Sequence, residues 1–152
     1  MLKKVRKLFK NQRGLTLVEL LAVVVILGII SAIAIPSIGG LINNSKKDAH
    51  IANAQTMVNA VKLMVTTDEL EYNKNNAATV TLSQLVKDNY IEAVKDPSGT
   101  TYGEGTNVTV KKESDDKYTY SITLTNSGNN EYYSGTLEKM NRSQINLKPS
   151  SE

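Results

Sequence analysis

Two apolar patterns with different periods divide the chain. Residues 15–36, LTLVELLAVVVILGIISAIAIP, are apolar on every helical face, and Glu19 is their one ionisable side chain. At about 1.5 Å per residue these 22 residues reach ~33 Å as a helix, against about 30 Å for the hydrocarbon core of a bilayer. As a core helix, such a segment would need a larger domain to wrap it on all sides. Beyond Asn43 the chain becomes polar and rich in Asn, Thr and Ser. From His50 the apolar residues return at helical spacing: Ile51, Ala54, Val58, Val61 and Val65 form one stripe, with Met57 and Met64 beside it. A stripe of this kind is a core face, expected to pack on a sheet. The pattern therefore predicts one long helix in two parts, a membrane-spanning part over 15–36 and an amphipathic continuation within 37–70. Gly39 and Gly40 form a soft joint between them.

The rest reads as a small head over residues 71–140. Glu71 to Thr79 is a polar loop. Thr81-Leu-Ser-Gln84 has the capping-box spacing that opens a short helix, expected to run to about Asn89 with Leu82, Leu85 and Val86 inward. Asp96-Pro-Ser-Gly99 is a turn signal. Three runs then alternate as strands, at 106–112, 117–125 and 132–138: Val108 with Val110, Tyr118 through Leu124, and Tyr133 with Leu137. Glu113–Asp116 and Ser127–Asn130 supply the turns. The expected fold class is α+β, a long N-terminal helix on a small antiparallel meander. Residues 141–152 read as a loose tail, with an edge strand near Ile145.

Charge changes the picture at the N-terminus. The chain carries 18 basic and 15 acidic residues, a net charge of +3. Six of the positive charges, Lys3, Lys4, Arg6, Lys7, Lys10 and Arg13, fall in the first 14 residues, where there is no acid; the 12 basic and 15 acidic residues that remain carry about −3. The basic character belongs to the leader and does not mark a nucleic-acid-binding domain. With the cationic residues all on the N-terminal side of the span, the positive-inside rule places residues 1–14 in the cytoplasm and the head outside. The absence of cysteine excludes disulfides, a thiolate nucleophile and thiolate metal ligands.

An ordinary secretory signal peptide is a rival reading, with a small-x-small site at Ala32-Ile33-Ala34. Against it stand an apolar run longer than the usual 7–15 residues, an acid near its start, and a helical pattern that continues past the cut. A carboxylate among Leu17, Val18, Leu20 and Leu21 is costly in hydrocarbon. Thr16 and Glu19 have capping-box spacing, which accounts for the acid in an isolated helix but not for a cap set inside an apolar stretch. A cut between Gly14 and Leu15 would expose an α-amino group four residues from Glu19. In an assembly, the amine of one helix and the carboxylate of its neighbour could then neutralise each other. Making a buried pair adds little stability and breaking one costs several kcal/mol, so such a pair sets register.

Lys10-Asn-Gln-Arg-Gly14 followed by Leu15-Thr-Leu-Val-Glu19-Leu-Leu resembles the class III leader and cleavage site of type IV pilins and pseudopilins, and the likeness continues through Gly28 and Pro36. It implies a pilin-like fold, cutting by a prepilin peptidase/N-methyltransferase between Gly14 and Leu15, and N-methylation of Leu15, where the family more often has Phe. It further implies that Glu19 meets a neighbouring N-terminus and that the helix near Gly28 and Pro36 can melt when subunits leave the bilayer. Both residues weaken a helix independently of the likeness, Gly28 by about 1 kcal/mol relative to Ala and Pro36 by removing a donor, with a kink or unwinding expected before it. The implied partners are membrane lipid, copies of this chain and other pilins in a surface filament, and an inner-membrane assembly platform with its ATPase motor. The implied roles are DNA uptake (competence) of the Gram-positive kind or a surface pilus, with a type II secretion pseudopilin or a DNA-binding minor pilin as alternatives.

Candidate chemistry is sparse. His50, the single histidine, has no acid four residues on and reads as a surface residue. Asp96 and Glu104 flank a Gly-containing loop that resembles the calcium-holding loop of some secretion pseudopilins, with an incomplete ligand pattern. Lys111 and Lys112 lie near tyrosines, a local means of touching DNA. Asn107-Val-Thr109 and Asn141-Arg-Ser143 fit a glycosylation sequon. No phosphate loop, nucleophile elbow or metal motif is present, and nothing indicates an enzyme.

Overall fold

The computed structural model describes residues 16–114 and 117–147. Helix α1 runs Leu17–Thr66, followed by β1 (Ala77–Thr81), α2 (Leu82–Lys87), β2 (Asn107–Lys112), β3 (Tyr118–Thr125) and β4 (Glu131–Thr136), then a 3-10 turn at Leu137–Lys139. The fold is α+β and pilin-like. The chain divides into two compact units between Leu41 and Ile42, and α1 contributes to both. Pro36 lies inside α1, and the helix continues through Gly28, Pro36, Gly39 and Gly40 without the expected unwinding. One missing donor is a local loss in a helix whose remaining bonds form cooperatively.

In the second unit, four strands form an antiparallel sheet in the order β1-β2-β3-β4. Its core is one cluster in which Ala54, Met57, Val58, Val61 and Met64 of α1 join Val108, Val110, Ile122 and Leu124 of the sheet. Each large apolar side chain fully buried in this way contributes about 1.5–3 kcal/mol. The expected stripe is therefore the core face, with Ile51 and Val65 at its half-buried margins. The capping box opening α2 is also present: the Gln84 amide donates to Thr81 Oγ1 at 3.2 Å, and the Thr81 amide donates to Gln84 Oε1 at 2.9 Å.

The sheet and its flanks depart from the expected pattern in several places. Residues 77–79 were expected in a polar loop, yet Ala77–Thr81 is a strand paired with β2, Ala78 opposite Val110 and Val80 opposite Val108. Its short, weakly alternating sequence becomes a strand through pairing with that neighbour. Residues 137 and 138, expected to extend β4, form a 3-10 turn instead. Tyr132 and Tyr133 are consecutive and both buried, which a regular strand forbids. The register shift at Leu124/Thr125 is a β-bulge that turns both inward.

The tail expected to be loose is tied down over residues 141–147. Ile145 is 2% exposed within the core, the Asn146 amide donates to the Tyr132 carbonyl at 3.0 Å, and Arg142 clasps Asp48 through two 2.6 Å bonds. Apolar contact outweighs the clasp, because the ion pair is exposed and screened by salt. Ile145→Ala is expected to destabilise the head by about 2–4 kcal/mol. Arg142→Ala should have a much smaller effect, and denaturant titration of the detergent-solubilised chain compares the two.

Candidate processing and assembly segment

Gly14 and Leu15 lie outside the described residues. Immediately after them, Thr16 is the N-cap of α1. Its carbonyl accepts the first intrahelical bond, from the Leu20 amide, at 3.0 Å. The expected capping box is formed. The Glu19 amide donates to Thr16 Oγ1 at 3.2 Å, while the Thr16 amide and hydroxyl each donate to Glu19 Oε2 at 2.8 Å. The cap holds a carboxylate at the positive end of the helix dipole, within one residue of Leu15.

From Leu17 to Ile42 the large apolar side chains are exposed, and none of the most apolar 18-residue window is buried. The helix is long and apolar enough to cross a membrane. An exposed apolar surface on this scale requires lipid or a partner to cover it. Gly28 and Pro36 both lie within this stretch, and the Cβ position of Gly28 opens onto free space.

A long N-terminal apolar helix with a capped acid at its start, joined to a small antiparallel head, defines a pilin-type subunit. Residues 9–35 match the family described as the prokaryotic N-terminal methylation motif. The chain thus carries a type IV pilin-like class III prepilin leader, which points to a structural subunit rather than an enzyme and to membrane anchoring before assembly. Prepilin-motif proteins are processed by a prepilin peptidase and assemble with other pilins. Neither a curated protein nor a solved structure matches the chain.

Two groups of buried polar side chains lie in the head, Thr106 with Thr125 and a larger one around His50. His50 is 0% exposed, not a surface residue. Its Nδ1 lies 2.8 Å from Tyr102 Oη and its Nε2 lies 3.0 Å from Ser98 Oγ. Nε2 is also 3.7 Å from Asp96 Oδ1, and the Tyr132 ring lies tilted against the imidazole at 4.5 Å between centroids. Burial pushes the His50 pKa down; Asp96 opposes that shift and Lys46 reinforces it. These partners come from a loop and from β4, so no helical spacing around His50 could reveal them. The one sequence signal was the Asp96-Pro-Ser-Gly99 turn, which places Asp96 and Ser98 together.

Asp96 is buried, and its oxygens accept from the Ser98 amide at 2.7 Å, Thr100 Oγ1 at 2.5 Å and Tyr132 Oη at 2.8 Å. Burial raises its pKa, but these donors and the His50 charge outweigh that and hold it below the usual carboxylate range. Glu104 is exposed, and among the described residues no group of three or more His, Cys, Asp or Glu could hold a metal ion. Both sequon asparagines have structural roles: Asn107 Nδ2 donates to the Gly105 carbonyl, and Asn141 Oδ1 accepts from the Ser143 amide and hydroxyl.

Proposed function

We propose that this chain is a structural subunit of a type IV pilus-like filament on the cell surface. It is inserted with its N-terminus in the cytoplasm and cut between Gly14 and Leu15, with Leu15 N-methylated. An assembly platform and its motor then extract it from the membrane, and it polymerises through its apolar helix, where Glu19 meets the amine of a sister subunit. The observation that carries this reading is the class III motif over residues 9–35 running into an exposed apolar helix that starts with a capped acid. Sequencing the mature chain should give methylated Leu15 as its first residue, and labelled chain should decorate surface filaments. An N-terminus at Ile35 would instead mark a freely secreted head.

For the filament's role we favour DNA uptake. Lys62 lies over the Tyr120 ring at 5.3 Å and Lys112 over the Tyr118 ring at 5.8 Å; the rings pack on the core margin and hold two cations together, which supports a local contact with DNA phosphates. The detergent-solubilised chain cut after Gly14, and so free of the leader's six positive charges, should retard DNA at low salt and lose it as salt rises. No retardation at low salt would leave a surface pilus or a secretion pseudopilin as the role.

A further inference from the structure

We infer that the His50 cluster is an acid-released latch that holds the loop of residues 96–102 against helix α1. Tyr102 Oη accepts from Asn53 Nδ2 at 3.1 Å, and its own proton faces His50 Nδ1 at 2.8 Å. That proton has one acceptor among the described residues, the unprotonated Nδ1. The neutral imidazole therefore carries its hydrogen on Nε2 and donates it to Ser98 Oγ at 3.0 Å, on the side facing Asp96. The cluster is then complete, and no buried side-chain polar atom among the described residues lacks a partner. It has room for one imidazole proton.

A second proton must go to Nδ1. There it meets the Tyr102 hydroxyl donor to donor, so the hydrogen bond is lost and the O–H of this half-buried residue has no other acceptor among the described residues. The charged groups around His50 do not relieve this clash. Asp96, from the loop, attracts the cation but sits at Nε2, which already carries its hydrogen. On α1, Lys46 repels the cation and Asp48 is engaged by Arg142 of the tail. From β4, Tyr132 gives its proton to Asp96. Relief comes from moving Tyr102 away.

The loop is built to part at that place. At its far end the Gly103 amide donates to the Thr125 carbonyl at 2.9 Å, Tyr102 bridges to Asn126, and a Cβ on Gly103 would strike the Asn126 carbonyl. The backbone of that end stays with the sheet, so what leaves His50 is the Tyr102 side chain with the segment before it. On the α1 side, the loop is held by His50 and by Asn53, which donates to Tyr102 Oη and to the Lys95 carbonyl. Because folding holds His50 neutral, the latch is at full strength above the ordinary histidine range. It weakens as pH falls through that range, since the open form takes up the proton that the closed form refuses.

The experiment follows the single histidine ring by NMR, and amide protection by hydrogen exchange, in the full chain in detergent from pH 8 to pH 5. Protection of the Ser98 and Gly99 amides, the hydrogen-bonded ones of the loop among the described residues, should fall by up to about tenfold per pH unit below the ordinary histidine pKa, ahead of the bulk His50 titration. Protection at Val108 and Ile122 should stay constant. Tyr102→Phe removes the stranded proton, so His50 should then titrate at higher pH, and His50→Gln should abolish the pH-dependent step. The latch is refuted if His50 becomes charged while the Ser98 and Gly99 amides stay protected, if the step survives in His50→Gln, or if Tyr102→Phe leaves the His50 titration in place.

Discussion

A Gly14→Glu chain is expected to accumulate as an uncut, membrane-held precursor if the cut proposed after Gly14 is right. The residue before the scissile bond must let the peptidase approach the backbone, and glycine leaves that bond open from every side. A Glu side chain adds bulk there and places a negative charge directly after Arg13, within a leader that carries six positive charges and no acid. The apolar run beginning at Leu15 is unchanged, so insertion should be as before. Mass spectrometry of the membrane fraction is expected to find the chain still carrying residues 1–14, with no surface filaments. A chain of normal mature mass would refute the assigned cut.

Glu19→Ala is expected to be cut normally yet to reduce filament yield by roughly tenfold or more, since each unpaired amine weakens one subunit contact and about 1.4 kcal/mol is already tenfold. The structure sharpens this test. Glu19 accepts the Thr16 amide and hydroxyl, so alanine removes a helix cap as well as a charge. Glu19→Gln separates the two roles, because its amide oxygen can still accept at the cap while the charge is gone. With pairing as the cause, both variants lose filaments. Normal filaments from Glu19→Gln would leave the acid with no role beyond capping.

The same contrast between local and distant partners explains what could be read along the chain. The Thr16–Glu19 and Thr81–Gln84 boxes were legible because a capping box closes over three residues. The Ala54–Val61 stripe and the cores of β2 and β3 were legible because one buried face imposes a period. Ala77–Thr81 has little pattern of its own, and it is a strand because β2 lies beside it. Tyr132 points inward because a bulge intervenes, and Ile145 is buried because the tail returns to the core.

The sequence by itself determined the basic leader, the class III motif, the membrane-length helix with its acid and the α+β character of the head. Each depends on composition, on short spacing or on a periodic face, all of which are properties of contiguous residues. Only the tertiary structure decided that β1 completes the sheet, that the tail is held, and that His50 is buried among Asp96, Ser98, Tyr102 and Tyr132. Those residues lie 46 or more positions from His50 along the chain, and only chain closure brings their hydroxyls and carboxylate to the two ring nitrogens.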